Sequence, residues 1–204
     1  MKDFELDQLN DLQYDVLKEI GNIGAGNATT ALAKLLNSKI DMNVPSVALV
    51  PFSSLATSMG PEDSVFVGVL LQLEGDVRGM MMFLLDKPSA HHLVDVLMGT
   101  KSDGDAEFSD IGYSALNEIG NIICGAYLSA LSGLTNLTIT VSVPSVAIDM
   151  VGALLSVPAI EFGKIGDKVL FIKTQFGEDD FINGYFLMIP ELESYNVILN
   201  SLGM

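Results

Sequence analysis

The chain has one cysteine, two histidines, and ten Lys plus Arg against 26 Asp plus Glu. Each scarcity excludes something. A lone Cys124 permits no intramolecular disulfide and fits a reducing compartment. It stands in an apolar helical stretch, where a buried inert thiol is the plain reading rather than a nucleophile. His91 and His92 are adjacent, so a helix points them to different faces, and no third histidine exists to build a metal site around. A formal charge of -16 leaves no wide basic footprint for nucleic acid or for an anionic membrane surface. The residues Met1 to Asp7 contain no apolar core of a signal peptide. The longest apolar run, Val143 to Ile160, is interrupted by Pro144, Asp149 and Pro158, which suits a buried strand and short helix better than a membrane span. These features predict a cytoplasmic protein with no membrane insertion and no metal of its own.

Apolar residues make up 49% of the chain, enough for a large core, and the sequence repeats itself. Leu12 to Ala48 recurs without a gap at Ile111 to Ala147, 99 residues later. Both copies read [Asp/Ser]-x3-Glu-x2-Asn-x22-Pro: Asp15, Glu19, Asn22 and Pro45 in the first, Ser114, Glu118, Asn121 and Pro144 in the second. Positions separated by four and then three residues fall within an arc of roughly 60° on a helix. Each copy therefore presents a carboxylate and an amide on one face. A solvated face needs only polarity, so nothing physical requires glutamate and asparagine in those places twice. Leu12, Val16, Ile20, Ile23, Ala31 and Leu35 form an apolar stripe about 100° further round. Ile111, Ala115, Ile119, Ile122, Ala130 and Leu134 repeat it, and these stripes are expected to meet the core.

The first repeat helix is expected from Asn10 or Asp11 to about Asn37, after a loose acidic segment over 1–10. Its middle, Gly21-Asn22-Ile23-Gly24-Ala25-Gly26, carries glycines that each cost about 1 kcal/mol against alanine in a helix interior. The run lacks the order of a phosphate loop and follows no strand. Close approach of another element explains it better, and Gly120 and Gly125 match it in the second copy. Lys39 to Pro51 reads as a strand, and Val65–Leu73 with Val77–Leu85 as a hairpin turning at Glu74-Gly75-Asp76. Pro88 opens a helix that Gly99 closes after Met98. An acidic linker with Asp103, Asp105, Glu107 and Asp110 leads to a cap at Ser109 or Asp110 and a second repeat helix to about 133. Then follow a strand at Leu137–Ile148, a short helix, strands near Lys168–Phe176 and Ile182–Ile189, and a closing helix after Pro190. Pro45 and Pro144 cannot donate to a ladder, so they belong where a strand begins, bulges or lies at an edge.

The pattern predicts an α/β fold: one pseudo-two-fold-symmetric domain over 1–204, with repeats of about 11–99 and 110–203. A mixed β-sheet covered by the two long repeat helices is expected.

The doubled motif resembles the CheC-type chemotaxis phosphatases, the CheC/CheX/FliY family, and the likeness spans nearly the whole chain. Two intact motifs on a chain of this length look most like the CheC branch. The resemblance implies a phosphatase acting on the aspartyl phosphate of the response regulator CheY, with CheD as a second partner. Asn22 and Asn121 would orient the hydrolytic water, Glu19 and Glu118 would contact the regulator, and Asp15, Ser114, Pro45 and Pro144 would support the motif. The regulator would supply the Mg²⁺, and no cofactor would be held on this chain. The alternative is a non-catalytic module that binds phosphorylated CheY or CheD. Asp149, whose counterpart in the first half is the apolar Val50, reads equally as a helix N-cap or as a CheD contact.

Overall fold

The computed structural model describes residues 11–36, 42–104, 106–162, 168–176 and 182–203. The segment 1–10, Asn37 and Asp105 therefore lie outside the described residues. The elements are α1 (Asp11–Leu36), β1 (Met42–Pro51), α2 (Phe52–Met59), β2 (Val65–Gly75), β3 (Gly79–Asp86) and α3 (Lys87–Met98) in the first half. The second half contains α4 (Asp110–Thr135), β4 (Ile139–Val141), β5 (Ser145–Met150), α5 (Val151–Phe162), β6 (Lys168–Phe176), β7 (Ile182–Pro190) and α6 (Leu192–Ser201). Local chemistry sets several boundaries. Asp86 caps α3 by accepting from the Ser89 N–H at 2.7 Å, and Gly99 ends it in the left-handed conformation. Ser109, one of the two expected caps, accepts from the Gly112 N–H at the start of α4.

The strands run in the order β1-β6-β7-β3-β2, with β4 and β5 laid end to end along the outer side of β2. Every described pairing is antiparallel, so the sheet is not mixed in strand direction. Each half's leading strand pairs with the other half's hairpin, β1 with β6 and β5 with β2, and the two hairpins meet at β3–β7. Exchanging the halves reverses the strand order onto itself, which is the expected pseudo-two-fold relation.

Both motif prolines sit at irregularities. Asn43 pairs with Gln175 and Ser46 with Lys173, so Val44 and Pro45 face Thr174 alone. In the second half Val141 pairs with Leu73 and Ser145 with Leu70, so Ser142, Val143 and Pro144 face Leu71 and Gln72. Each copy thus has one extra residue, a bulge that tolerates the missing N–H. The strand expected over Leu137–Ile148 is split there, and Ser142 bridges the gap. Its N–H donates to the Gln72 carbonyl, and its Oγ accepts from the Gln72 N–H, both at 3.0 Å.

The two sheet faces are covered by different helices. On β3 the side chains alternate: Met81, Phe83 and Leu85 face α1, α3 and α4, while Met80, Met82 and Leu84 face α2 and α5. In the first half the local sequence carries no helix signal for the second layer. Phe-Ser-Ser-Leu-Ala-Thr-Ser-Met is short and hydroxyl-rich, a loop composition, yet it forms α2 because Leu55 and Met59 bury against the sheet. It lies 99 residues before α5, so the repeat itself was the available signal.

Cys124 is fully buried, and burial pushes its thiol well above the ordinary range, which makes it unreactive.

Candidate active face on the repeat helices

Asp15, Glu19 and Asn22 on α1 are all exposed, as are Ser114, Glu118 and Asn121 on α4. The buried residues of α1 that run along its opposite side are Leu17, Ile20, Gly24, Ala28 and Leu32. Their centre lies about 190° from the triad at 100° per residue. The same positions of α4, Leu116, Ile119, Ile123, Tyr127 and Leu131, are buried too. Each helix is thus turned about a quarter of a revolution from the orientation its apolar stripe suggested. Leu12 and Ile111, expected in the core, are 64% and 61% exposed, and Leu134 is exposed as well. The apolar count misleads because glycine and alanine, which score weakly, form much of the surface that seats α1.

The glycines divide into two kinds. A Cβ at Gly24 would overlap the ring of Tyr127 on α4, and one at Gly120 would overlap the Val69 side chain on β2. These two are packing glycines, as expected. Tyr127 in turn stacks on Phe186 of β7, with ring centroids 4.1 Å apart. Gly26 and Gly125 overturn the expectation: beyond their own helix backbone, a Cβ there would meet nothing within 4 Å.

With its polar groups turned outward, neither triad has walls around it from the helix that carries it. A reacting group would have to be brought by a second molecule whose surface closes over the face. The Ser114 hydroxyl donates to the Asp110 carbonyl at 3.0 Å, a helical back-bond that Asp15, a carboxylate, has no proton to copy when ionised. The two sites therefore differ at their first motif position. Pro144 is half-buried at its bulge, and Pro45 occupies the matching backbone position in β1.

The linker before the second triad is held by a polar cluster that sequence reading did not single out. His91 is buried, stacks on Phe108 with centroids 3.9 Å apart, and has Nε2 2.9 Å from the Ala106 carbonyl and Nδ1 3.0 Å from the Ser102 hydroxyl. Asp95 accepts from the Ser102 N–H and from the Thr100 and Ser102 hydroxyls, and these bonds hold its carboxyl below the usual range. The cluster pins the linker that delivers Ser109 to cap α4. His92 points outward, as adjacency predicted.

Asp149 is exposed on β5 opposite Phe66, and its Oδ1 accepts from the Met150 N–H at 2.8 Å. It is not the helix cap: pairing with β2 continues to Met150, and α5 starts only at Val151, whose N–H donates to the Ser64 carbonyl. Among the described residues, no three His, Cys, Asp or Glu side chains gather as a metal site, and no helix is long and apolar enough to cross a membrane.

Comparison with known proteins follows the same two segments. The profile of the CheC-like family matches residues 12–49 and 111–148. The chain is 36% identical over 199 residues to the CheY-P phosphatase CheC of Bacillus subtilis, covering 94% of each. The fold is similar to the crystal structure of Thermotoga maritima FliY, with a TM-score of 0.74 at 23% identity, over 96% of this chain and 98% of that one. It is also similar to a chain of the CheX–CheY–BeF3–Mg complex from Borrelia burgdorferi, with a TM-score of 0.53 at 16% identity, over 83% and 96%.

Proposed function

This chain belongs to the CheC-like family, and from that premise we propose that it dephosphorylates the aspartyl phosphate of CheY, using its two outward triads as separate catalytic faces. The observation that carries the reading is the doubled outward face: the same Glu and Asn, exposed on two helices that the pseudo-two-fold relates. The similar Bacillus subtilis protein, a CheY-P phosphatase, supports the activity, and the CheX–CheY complex supports a CheY-type partner for this fold.

An aspartyl phosphate sits in the regulator's own Mg²⁺ site, so charge stabilisation comes with the substrate. What the regulator lacks is an oriented water. The side-chain amide of Asn22 or Asn121 holds that water in line with phosphorus, and being uncharged it does not repel the phosphoryl oxygens. Glu19 or Glu118, three residues earlier on the same face, pairs with a cationic side chain of the regulator and sets the distance of the amide. A hundredfold acceleration needs about 2.7 kcal/mol of such positioning. No nucleophile, base or cofactor on this chain takes part. Residues 1–204 act as one cytoplasmic unit in this scheme, since each repeat completes its sheet with strands of the other.

The test is the loss of radiolabelled phosphate from CheY with and without this protein. Acceleration at catalytic ratios supports the reading, whereas binding with no acceleration would leave the adaptor alternative in its place. With the regulator's Mg²⁺ held constant, prior treatment of this protein with a chelator should not change the rate. A rate that tracked metal bound to this chain would sink the mechanism.

CheD is the second proposed partner, and Asp149 is its proposed contact. Asp149 is exposed on the edge strand and has no acidic counterpart in the first half, so one CheD per chain is expected. By linkage, CheD that favours the active arrangement must itself be favoured by phosphorylated CheY to the same degree. Asp149→Ala should weaken CheD binding at least tenfold in calorimetry while CheD-free phosphatase activity stays near normal. Two equivalent CheD sites, or unchanged affinity, would remove the assignment.

A further inference from the structure

We propose that Gly26 and Gly125 are steric windows, bare turns of helix over which phosphorylated CheY approaches closely enough for Asn22 and Asn121 to reach its phosphate. The inference rests on the proposed phosphatase reading and adds two positioning residues to it. Each glycine follows its asparagine by four residues, which places it one turn along the helix and about 40° round, on the same face. Glycine is unfavourable in a helix interior, and the described residues supply no compensation at either position: a Cβ would meet none of their atoms within 4 Å beyond the helix backbone.

The contrast with the other helical glycines is what separates this from chance. Gly24 and Gly120 are explained by Tyr127 and Val69. Gly133 is also open to solvent, but its counterpart 99 residues earlier is Lys34, so that position carries no requirement for glycine. Among the glycines whose surroundings are described, Gly26 and Gly125 are the pair at which an open glycine is kept in both copies, and both lie on the triad's face. No described residue of this chain stands where a side chain there would reach. The partner that must close over the same face is the phosphorylated regulator, and a side chain one turn from the asparagine would hold it off. Leu12 and Ile111, both exposed, mark the opposite end of the same face.

The experiment compares Gly26→Leu/Gly125→Leu and the milder Gly26→Ala/Gly125→Ala with wild type and with Gly133→Leu. Three quantities are read: melting temperature, affinity for CheY activated with beryllofluoride and Mg²⁺, and kcat/KM on phosphorylated CheY. Expected for the double leucine variant are a melting temperature at or above wild type, at least tenfold weaker binding, and a fall of at least tenfold in kcat/KM carried mainly by KM. The double alanine variant should lose less, and Gly133→Leu should match wild type in binding and rate. A purely structural role would lower the melting temperature together with activity. If wild type neither binds activated CheY nor speeds its dephosphorylation, the phosphatase reading falls and this inference with it. If wild type does both and the double leucine variant equals it within twofold, this inference alone is wrong.

Discussion

The double variant Asn22→Ala/Asn121→Ala should leave phosphorylated CheY decaying at its unassisted rate, while the protein itself melts no lower than wild type. Both asparagines are exposed on helices, so the substitution removes no core contact. Alanine is the best helix former and should add up to about 0.7 kcal/mol per site. The loss of activity therefore cannot be blamed on unfolding. Each single variant should keep the activity of the other face, and the two remainders need not be equal, because Asp15 and Ser114 differ at the first motif position. Full retention of activity in the double variant would show that some other group orients the water. A steep fall in melting temperature would show that the asparagines serve the fold.

Gly24→Ile should cost the fold heavily, and Tyr127→Ala should recover part of the loss. A side chain at position 24 would run into the Tyr127 ring, which is itself clamped on Phe186. Overpacking of that kind costs about 3 kcal/mol. For a protein of this size that is roughly a 6–12 °C fall in melting temperature. The pseudo-two-fold makes the rescue specific. The counterparts of Gly24 and Tyr127 are Ile123 and Ala28, both buried, so the symmetry-equivalent position carries a larger residue opposite a smaller one in the reverse sense. Gly24→Ile/Tyr127→Ala gives this position the same residue pair that the sequence carries at its symmetry equivalent. Tyr127→Ala alone should cost about 3–5 kcal/mol as a cavity. That cost is reduced to the extent that its buried hydroxyl has no hydrogen-bond partner among the described residues. The double variant should then be at least 2 kcal/mol more stable than the sum of the singles, a coupling read from denaturant midpoints. Additive losses would mean that the two halves of the interface are not interchangeable.

Features that depend on near neighbours in the chain are legible from the residues alone. Four-and-three spacing put Glu19 with Asn22, and Glu118 with Asn121, on common helix faces, and both faces are exposed. Turn and cap chemistry located the β2–β3 hairpin, the ends of α3 and the Ser109 cap. Proline's missing donor placed Pro45 and Pro144 at bulges. Features that depend on residues far apart in the chain emerge with the folded packing. The antiparallel order arises because β1 pairs with β6 and β5 with β2, pairings between halves that no local period encodes. The rotation of α1 and α4 was set by where Gly24 meets Tyr127 and Gly120 meets Val69, since small residues allow approach without contributing hydrophobicity. That is also why Leu12 and Ile111, plain core residues by periodicity, ended exposed. The same glycine letter meant contact at position 24 and open space at position 26, because a missing Cβ has no meaning until the atoms around it, or their absence, are known.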